Sequence, residues 1–313
     1  MSKTLAPREA FGKALVQLGA ENEDILVLDA DCSKATMTSL FQKEFPHRFF
    51  NLGIAEADLV GTGAGLALAG KTPFVNAYAN FLTGRAWDQI RISVCYANLN
   101  VKVIGHNSGT SPGQEGPTHL PLEDITLMRA LPRMTVIEPA DGVEMAKAVR
   151  ALGEHEGPAY LRVGRMPTPI VNREAGRFVI GKANVYLEGK DASILACGVM
   201  LSKALEAAEE LKAEGISVDV INVHTIKPLD SSCILEAASR TGAVVTAEEH
   251  TVIGGLGGAV AELLAQNLPV PVRMVGVQDR FGLSAKMPEL HEALGLTREN
   301  IIKAVKEVIS AKK

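Results

Sequence analysis

The sequence predicts an α/β protein made of two doubly wound domains, each a mainly parallel sheet with helices on both faces. Its 313 residues suit about two domains of ordinary size. Short runs rich in β-branched residues alternate with longer segments of helical periodicity, which is the pattern of βαβ units. The alternation stops once, over residues 166–190, so we expect a linker there between a domain at 1–165 and a second at 191–313.

The first predicted domain alternates strand and helix along its whole length. Each strand is a short apolar run typical of a parallel sheet that is buried on both faces. Residues 1–15 are typical of the start of an amphipathic helix. The elements predicted after it are, in order, strand DILVLDAD, helix EADLVGTGAGLALAG, strand KTPFVNAY, helix RAWDQIRISVCYAN, strand LNVKVIGHNSG, helix LEDITLMRAL, strand MTVIEPA, helix DGVEMAKAVRALGE and strand GPAYLRVGR.

The linker carries prolines, glycines and charges without a helical period, and it has room for a small hairpin. The alternation then restarts and predicts the second domain. Its elements are, in order, strand ASILACG, helix MLSKALEAAEELKAEG, strand SVDVINV, helix DSSCILEAASRTG, strand AVVTAEEH, helix GGLGGAVAELLAQN, strand PVRMVGV and helix TRENIIKAVKEVI.

Composition and charge exclude several classes of function. The formal net charge of −4 offers no general attraction to a polyanion, so we expect no nucleic-acid partner. No apolar run reaches 18 residues and the N-terminus does not resemble a signal peptide, so we expect no membrane span. The four cysteines show no CxxC spacing, which indicates neither a zinc site nor a disulfide framework and fits a cytoplasmic protein.

Two glycine-rich stretches could either bind a ligand or allow close packing and tight turns. GTGAG at 61–65 lies inside a predicted helix rather than at a strand-to-helix turn, so it indicates close helix packing rather than nicotinamide binding. IGGLGGAV at 253–260 does lie at such a turn, where backbone N–H groups could hold an anion. A turn that needs positive φ explains it equally, and we favour the turn. No P-loop motif occurs.

An acidic pair stands out in NLGIAEADLVGTGAGLALAG, residues 51–70. Glu56 and Asp58 lie among small and apolar residues, with no basic residue within a turn of either. On the residues alone, the simpler interpretation is that both are exposed acids near a helix N-terminus, where the helix dipole favours negative charge. Asp58 keeps that interpretation.

A polar loop, GHNSGTSPGQEGPTHLPLEDI at 105–125, differs in kind from the others. It follows a predicted strand, and open α/β sheets bind ligands at the carboxyl ends of their strands. The loop carries His106, Glu115 and His119, with enough glycine and proline to turn back tightly. A single histidine is usually structural, but two on one such loop indicate a site.

Several of these segments together resemble a transketolase and, more narrowly, the C-terminal half of one made as a separate subunit. The segments are EGPTH at 115–119, GIAEADLVGTGAGLALAG at 53–70, GRAWDQIR at 84–91, IEPADGVEM at 137–145 and AEEHTVIGGLGGAVAELL at 247–264. The resemblance covers nearly the whole chain in order. It implies the pyrimidine-binding domain of a thiamine diphosphate enzyme, followed by the transketolase C-terminal domain.

The resemblance implies cofactor-binding roles for three residues. Glu56 matches the acid that contacts N1′ of the cofactor's aminopyrimidine and catalyses by sharing a proton with it. An apolar pocket would suit this role, because desolvation raises a carboxyl pKa. Phe81 is implied to stack on the ring, with Tyr78 as the alternative because the alignment needs one extra residue before RAWDQ. The simpler interpretation of both aromatic residues is core packing.

The resemblance also implies substrate-binding residues. His106 and His119 match two catalytic histidines that hydrogen-bond the donor sugar. Glu115 stands where the family carries aspartate, a departure that lengthens the side chain by one methylene, about 1.5 Å. Arg165 matches an arginine that binds the phosphate of a sugar, and its planar fork suits a phosphate or a sulfonate. The alternative for Arg165 is a surface arginine at a domain end.

The family's Mg²⁺ and diphosphate motif, GDG with a later asparagine, is absent from this sequence. The resemblance therefore implies that an N-terminal transketolase subunit supplies the metal ligands, that this chain supplies none, and that the assembly is a dimer of heterodimers. The implied activity is transfer of a two-carbon ketol unit from a ketose phosphate to an aldose phosphate. The alternatives are the beta subunit of a 2-oxoacid dehydrogenase decarboxylase, a deoxyxylulose-phosphate synthase relative, and a non-catalytic paralog that binds a partner subunit.

Overall fold

A computed structural model describes residues 3–172, 175–176 and 178–312, and these form two α/β sandwiches built on parallel strands, which confirms the predicted fold class. The elements up to residue 163 are β1 (Thr4–Leu5), α1 (Pro7–Glu21), β2 (Ile25–Asp29), α2 (Ser33–Thr36), α3 (Ser39–Glu44), β3 (Phe49–Asn51), α4 (Glu56–Leu68), β4 (Thr72–Tyr78), α5 (Ala79–Arg85), α6 (Trp87–Gln89), β5 (Lys102–His106), α7 (Asp124–Arg129), β6 (Thr135–Ile137), α8 (Gly142–Glu154) and β7 (Ala159–Val163). A π-helical segment, Ile90–Tyr96, continues α6.

The remaining elements repeat the same alternation. They are β8 (Thr168–Pro169), β9 (Asn184–Leu187), β10 (Ala192–Ala196), α9 (Met200–Ala213), β11 (Val218–Asn222), β12 (Thr225–Lys227), α10 (Ser231–Thr241), β13 (Val244–Thr251), α11 (Leu256–Asn267), β14 (Val272–Val277), α12 (Met287–Leu294) and α13 (Arg298–Ser310). The main parallel strands are almost completely buried, as their continuous apolar runs predict.

The first sheet includes a strand from the second half of the chain. Within the described residues its order is β12-β6-β7-β5-β4-β2-β3, and β12 pairs antiparallel with β6 while the other neighbours are parallel. The sequence does not predict this pairing, because a three-residue run carries no readable period. The second sheet has the order β14-β13-β10-β11-β9 over the same residues.

The linker contributes to the structure at both of its ends. Near its start, β8 pairs antiparallel with β1 at the N-terminus. Near its end, β9 pairs antiparallel with β11, so this strand extends the second sheet rather than forming the small hairpin for which the sequence leaves room. Residues 173, 174 and 177 of the linker lie outside the described residues.

Arg162, in β7, links the two halves of the chain through hydrogen bonds. Its guanidinium is almost completely buried and donates to the carboxylates of Asp124 and Glu138, and to the backbone carbonyl of Glu249 at 3.0 Å. Although burial opposes the charge, the two carboxylates raise the pKa of Arg162 well above its usual range. A charged network therefore lies between the sandwiches, and each of its members has a hydrogen-bond partner.

Three buried histidines each make a contribution to stability that is lost in mild acid. Burial lowers the pKa of His106 to about 3 and those of His224 and His250 to about 4. The unfolded chain, with histidine pKa values near 6.5, therefore binds more protons than the folded chain below about pH 6.5. The histidines' contribution to stability is complete above that pH and falls as the pH drops toward 4, by about 1.4 kcal/mol per pH unit for each histidine. Burial raises the pKa of Glu144 to about 7 and that of Glu248 to about 8, and these two carboxyl groups contribute with the opposite sign.

Urea unfolding between pH 7 and pH 4.5 measures this slope. His224 stacks on Phe178 at 4.1 Å, so His224→Phe keeps a ring in that place and removes one titrating group. We expect the variant to show a shallower slope by about one histidine's share. His47 is exposed, and His47→Gln is the control that should leave the slope unchanged. Equal slopes for wild type and His224→Phe would contradict the prediction.

Candidate active site

The candidate residues gather at one edge of the first sheet, where the parallel strands β2, β4 and β5 end. Asp29 ends β2, Tyr78 ends β4 and His106 ends β5, and Tyr78 and His106 are direct neighbours in register. The polar loop predicted to carry a site follows β5 at this edge. The fold therefore places the loop where open parallel sheets bind ligands.

Glu56 is the first residue of α4 and is almost completely buried, with 3% of its side chain exposed. Gly53, at φ 76° in the turn before the helix, lets the chain enter α4 from β3. The carboxylate Oε2 accepts a hydrogen bond from Nη1 of Arg85 at 2.5 Å. The sequence shows no basic residue near Glu56 along the chain, and the structure brings one from the end of α5. Asp58, two residues further on, is exposed.

The two aromatic candidates lie side by side but face different groups. The Tyr78 and Phe81 rings are 6.5 Å apart and nearly parallel. The guanidinium of Arg85 lies over Phe81, 5.0 Å from the ring centre, so Phe81 and Glu56 share a contact with the same arginine. Burial and the charge of Glu115 raise the pKa of Tyr78, whose hydroxyl end therefore lies toward the polar loop. Both rings are partly exposed, which is unusual for pure core packing.

His119 and His106 occupy different environments. His119 is partly exposed and lies edge-on to Phe81, with ring centres 5.2 Å apart. His106 is 1% exposed, its Nε2 lies 3.0 Å from Oδ1 of Asn76, and its ring contacts Phe11. Nδ1 of His106 is buried without a hydrogen-bond partner. One histidine is thus at the surface of the site, and the other lies beneath it.

Glu115 and Arg165 bind each other. A carboxylate oxygen of Glu115 accepts a hydrogen bond from Nη1 of Arg165, and each side chain is about one-third exposed. The backbone N–H of Arg165 donates to Oγ of Ser111 at 3.1 Å, which fixes this segment to the polar loop. The glutamate that departs from the family aspartate is therefore long enough to pair with the arginine expected to bind an anion.

The structure adds Arg8, which the sequence does not single out. Its backbone N–H donates to the carbonyl of Gly164, beside Arg165, and its Nη1 donates to the carbonyl of Ala35. Burial and the charge of Arg8 lower the pKa of His106, so the two groups are close. Nε of Arg8 is buried without a partner. Arg8 lies in the first turn of α1, an ordinary amphipathic helix, so no local pattern predicts its place here.

The second sandwich also reaches this edge. Oγ of Ser284 donates to the backbone carbonyl of Gln114 at 2.7 Å, so a loop of the C-terminal half supports the turn that carries Glu115. The glycine-rich turn at 253–260 plays no comparable role. Glu248 accepts the backbone N–H groups of Leu256 and Gly257, and Gly254 has φ 77°, which is the turn that we favour from the sequence.

The arrangement fits an aminopyrimidine. A buried carboxylate offers a hydrogen bond to a ring nitrogen, and a partly exposed aromatic face beside it offers stacking. The described residues contain no group of three or more histidine, cysteine, aspartate and glutamate side chains placed to hold a metal ion. Nor, in that part of the chain, is any helix both long and apolar enough to span a bilayer.

Comparisons with known proteins cover nearly the whole chain. Residues 3–170 match the family described as transketolase, pyrimidine binding domain, and residues 181–301 match transketolase, C-terminal domain. The 6-deoxy-6-sulfo-D-fructose transketolase subunit SqwH of Clostridium sp. is 43% identical over 305 residues, which are 97% of this chain and 95% of that one. Human transketolase is 37% identical over 310 residues, 98% of this chain but only 49% of that one.

A solved structure agrees with these sequence matches. The structure titled split gene transketolase, inactive beta4 tetramer, superposes with a TM-score of 0.92 at 48% identity, covering 99% of this chain and 100% of that chain.

Proposed function

The chain belongs to the transketolase family and corresponds to the C-terminal part of a transketolase-type enzyme, and from this we propose that it is a subunit that works only with an N-terminal partner. The partner would carry the Mg²⁺ and diphosphate site. Relatives that match end to end are named as subunits, which supports this division. The assembly we propose is a dimer of heterodimers, in which two-fold symmetry produces two equivalent sites.

The observation that best supports this proposal is the position of a buried carboxylate, Glu56, beside the partly exposed ring of Phe81. Thiamine diphosphate, when bound, would supply the nucleophilic carbon that reaction with a donor ketone requires. Glu56 would hold the pyrimidine ring and exchange a proton with its nitrogen, because a carboxyl group can both donate and accept one. Phe81 would stack on the ring, since it shares the contact to Arg85 with Glu56; Tyr78 is the alternative.

The remaining residues would position the sugar. His119, at the surface of the site, would donate a hydrogen bond to a substrate oxygen as charge develops there. For His106, the unpartnered Nδ1 is the atom available for such a contact. Arg165, with Arg8 nearby, would bind the anionic tail of a phosphorylated or sulfonated sugar, and Glu115 would have to release Arg165 first.

Reconstitution tests the function. We would express the chain with a candidate N-terminal subunit, add thiamine diphosphate and Mg²⁺, and assay ketol transfer from a ketose phosphate to an aldose phosphate. Decarboxylation of a 2-oxoacid without ketol transfer would indicate a decarboxylase or synthase instead, and no activity with a bound partner would indicate a non-catalytic paralog. Calorimetry that showed tight, Mg²⁺-dependent cofactor binding by the isolated chain would contradict the need for a partner.

Arg165→Ala is expected to raise KM for an anionic sugar by roughly 10–100-fold, the value of a charge-assisted contact. Turnover of hydroxypyruvate, a short donor whose carboxylate lies next to the reacting ketone and which has no phosphate or sulfonate tail, should change much less, because its reaction takes place away from the arginine. Arg273→Ala, which removes an exposed arginine from β14, is the control. Equal changes in KM for the two donors would mean that Arg165 has a structural role.

A further inference from the structure

We propose that the guanidinium of Arg85 occupies the position of the cofactor's aminopyrimidine ring, between Glu56 and Phe81. It leaves this position when the ring binds. The inference rests on the function proposed for Glu56 and Phe81. It adds a residue that competes with the cofactor and is not part of the loaded site. Arg85 is thus a positioning residue that keeps the empty pocket formed and its carboxylate neutralised.

The contacts of Arg85 are those expected of the ring. Its Nη1 donates to the Glu56 carboxylate at 2.5 Å, and its planar group lies 5.0 Å from the centre of the Phe81 ring. A guanidinium is flat and delocalised, with N–H donors along its edge, and a protonated aminopyrimidine shares these properties. Either group can therefore hydrogen-bond the carboxylate and cover the aromatic face, but both cannot do so at the same time.

The exposures of the two partners indicate which one moves. Glu56 has 3% of its side chain exposed and is fixed in the first turn of α4, whereas Arg85 has 53% exposed and reaches in from the end of α5. A half-exposed arginine regains water when it leaves, so its removal is inexpensive. The buried carboxylate then needs a new partner, and a ring nitrogen that shares its proton provides one.

A competitor of this kind has a measurable consequence for cofactor affinity. Binding of the ring must displace Arg85, so the observed affinity is reduced by the strength of that contact. For an ion pair with one exposed partner, the reduction is about 3–10-fold. Once the complex is saturated, the displaced arginine should no longer affect proton exchange at the cofactor.

The first measurement uses the complex with the N-terminal subunit and compares wild type with the variants Arg85→Ala, Arg85→Lys and Arg150→Ala. Arg150 forms a half-exposed ion pair with Glu21 at 2.9 Å and serves as a matched control far from the site. Calorimetry gives the Kd of thiamine diphosphate at fixed Mg²⁺. We expect Arg85→Ala to lower Kd by about 3–10-fold, Arg85→Lys to fall between it and wild type, and the control to match wild type.

A second measurement follows exchange of the cofactor's C2 hydrogen for deuterium in saturated complexes. We expect the Arg85→Ala rate to stay within about twofold of wild type, because the arginine has already left. A raised or unchanged Kd, or a rate at least tenfold lower, would overturn the proposal and place Arg85 in the loaded site. No exchange in the wild-type complex would instead contradict the proposed function.

A third arm needs neither cofactor nor partner. In the isolated chain, Arg85→Ala leaves the Glu56 carboxylate buried without its cation, so we expect a lower melting temperature than wild type. In a Glu56→Gln background, the same change should have little further effect, because no charge remains to be neutralised. Equal losses in the two backgrounds would show that the ion pair is not formed, and the proposal would fail whatever the enzyme's activity.

Discussion

Glu56→Gln is expected to lower turnover of the reconstituted enzyme by roughly 10²–10⁴-fold, the usual value of a positioned proton-transfer group. The amide has nearly the same shape as the carboxyl group and can still accept a hydrogen bond from Arg85, so the fold should remain intact. It cannot gain or lose a proton at neutral pH, so it cannot exchange one with the pyrimidine. Deuterium exchange at the cofactor's C2 carbon should slow together with turnover.

Asp58→Asn is the matched control for this variant. Asp58 lies two residues along the same helix, carries the same kind of charge and is exposed. Its loss should leave C2 exchange and turnover close to wild type, since the residue faces water. If Glu56→Gln exchanged its C2 proton at a near-normal rate, or if both variants were slowed equally, Glu56 would not be the acid in contact with the ring.

His119→Ala is expected to lower kcat/KM for the sugar substrate by roughly 10²–10³-fold, the value of a lost hydrogen-bond donor at a developing charge. The Kd of thiamine diphosphate should change little, because His119 lies edge-on to Phe81 and is partly open to solvent. His119→Gln keeps a donor of similar reach and should recover part of the loss. Steady-state kinetics with calorimetry on the same preparations separates the two effects.

His106→Ala provides a contrast with this result. His106 is buried against Asn76 and Phe11, so its removal leaves a cavity and should lower stability as well as activity.

An equal loss of sugar turnover and cofactor affinity in His119→Ala would place His119 in the cofactor pocket. Loss of stability in His119→Ala, with unchanged kinetics per folded molecule, would make it a structural residue.

Much of the fold was predictable because its elements are local and strongly patterned. The strand ending in Asp29 and the helix beginning at Glu56 lie within segments quoted from the sequence, and periodicity alone identifies both. The position of the loop from His106 to His119 at one edge of the first sheet was predictable because parallel strands bring their carboxyl ends to the same edge.

The contacts that complete the site were not predictable in this way. Arg85 meets Glu56, and Arg8 approaches His106, through packing of elements far apart in the sequence. No spacing rule relates such residues, since helices pack by their side chains and not by their order. Glu115 and Arg165 pair across 50 positions of the chain, a separation that composition and periodicity do not register.

The strand β12 and the side chain of Arg162 have a consequence for anyone who wishes to divide or recombine this chain. A fragment cut near residue 170 would lose Thr225–Lys227 and expose the edge of β6. An exposed strand edge promotes aggregation. The fragment would also lose Glu249, whose carbonyl accepts from Arg162. A chimera with the C-terminal half of a relative should therefore take β12 and Glu249 from the same relative. The two family domains meet between residues 170 and 181, but the first sheet includes a strand from beyond that boundary.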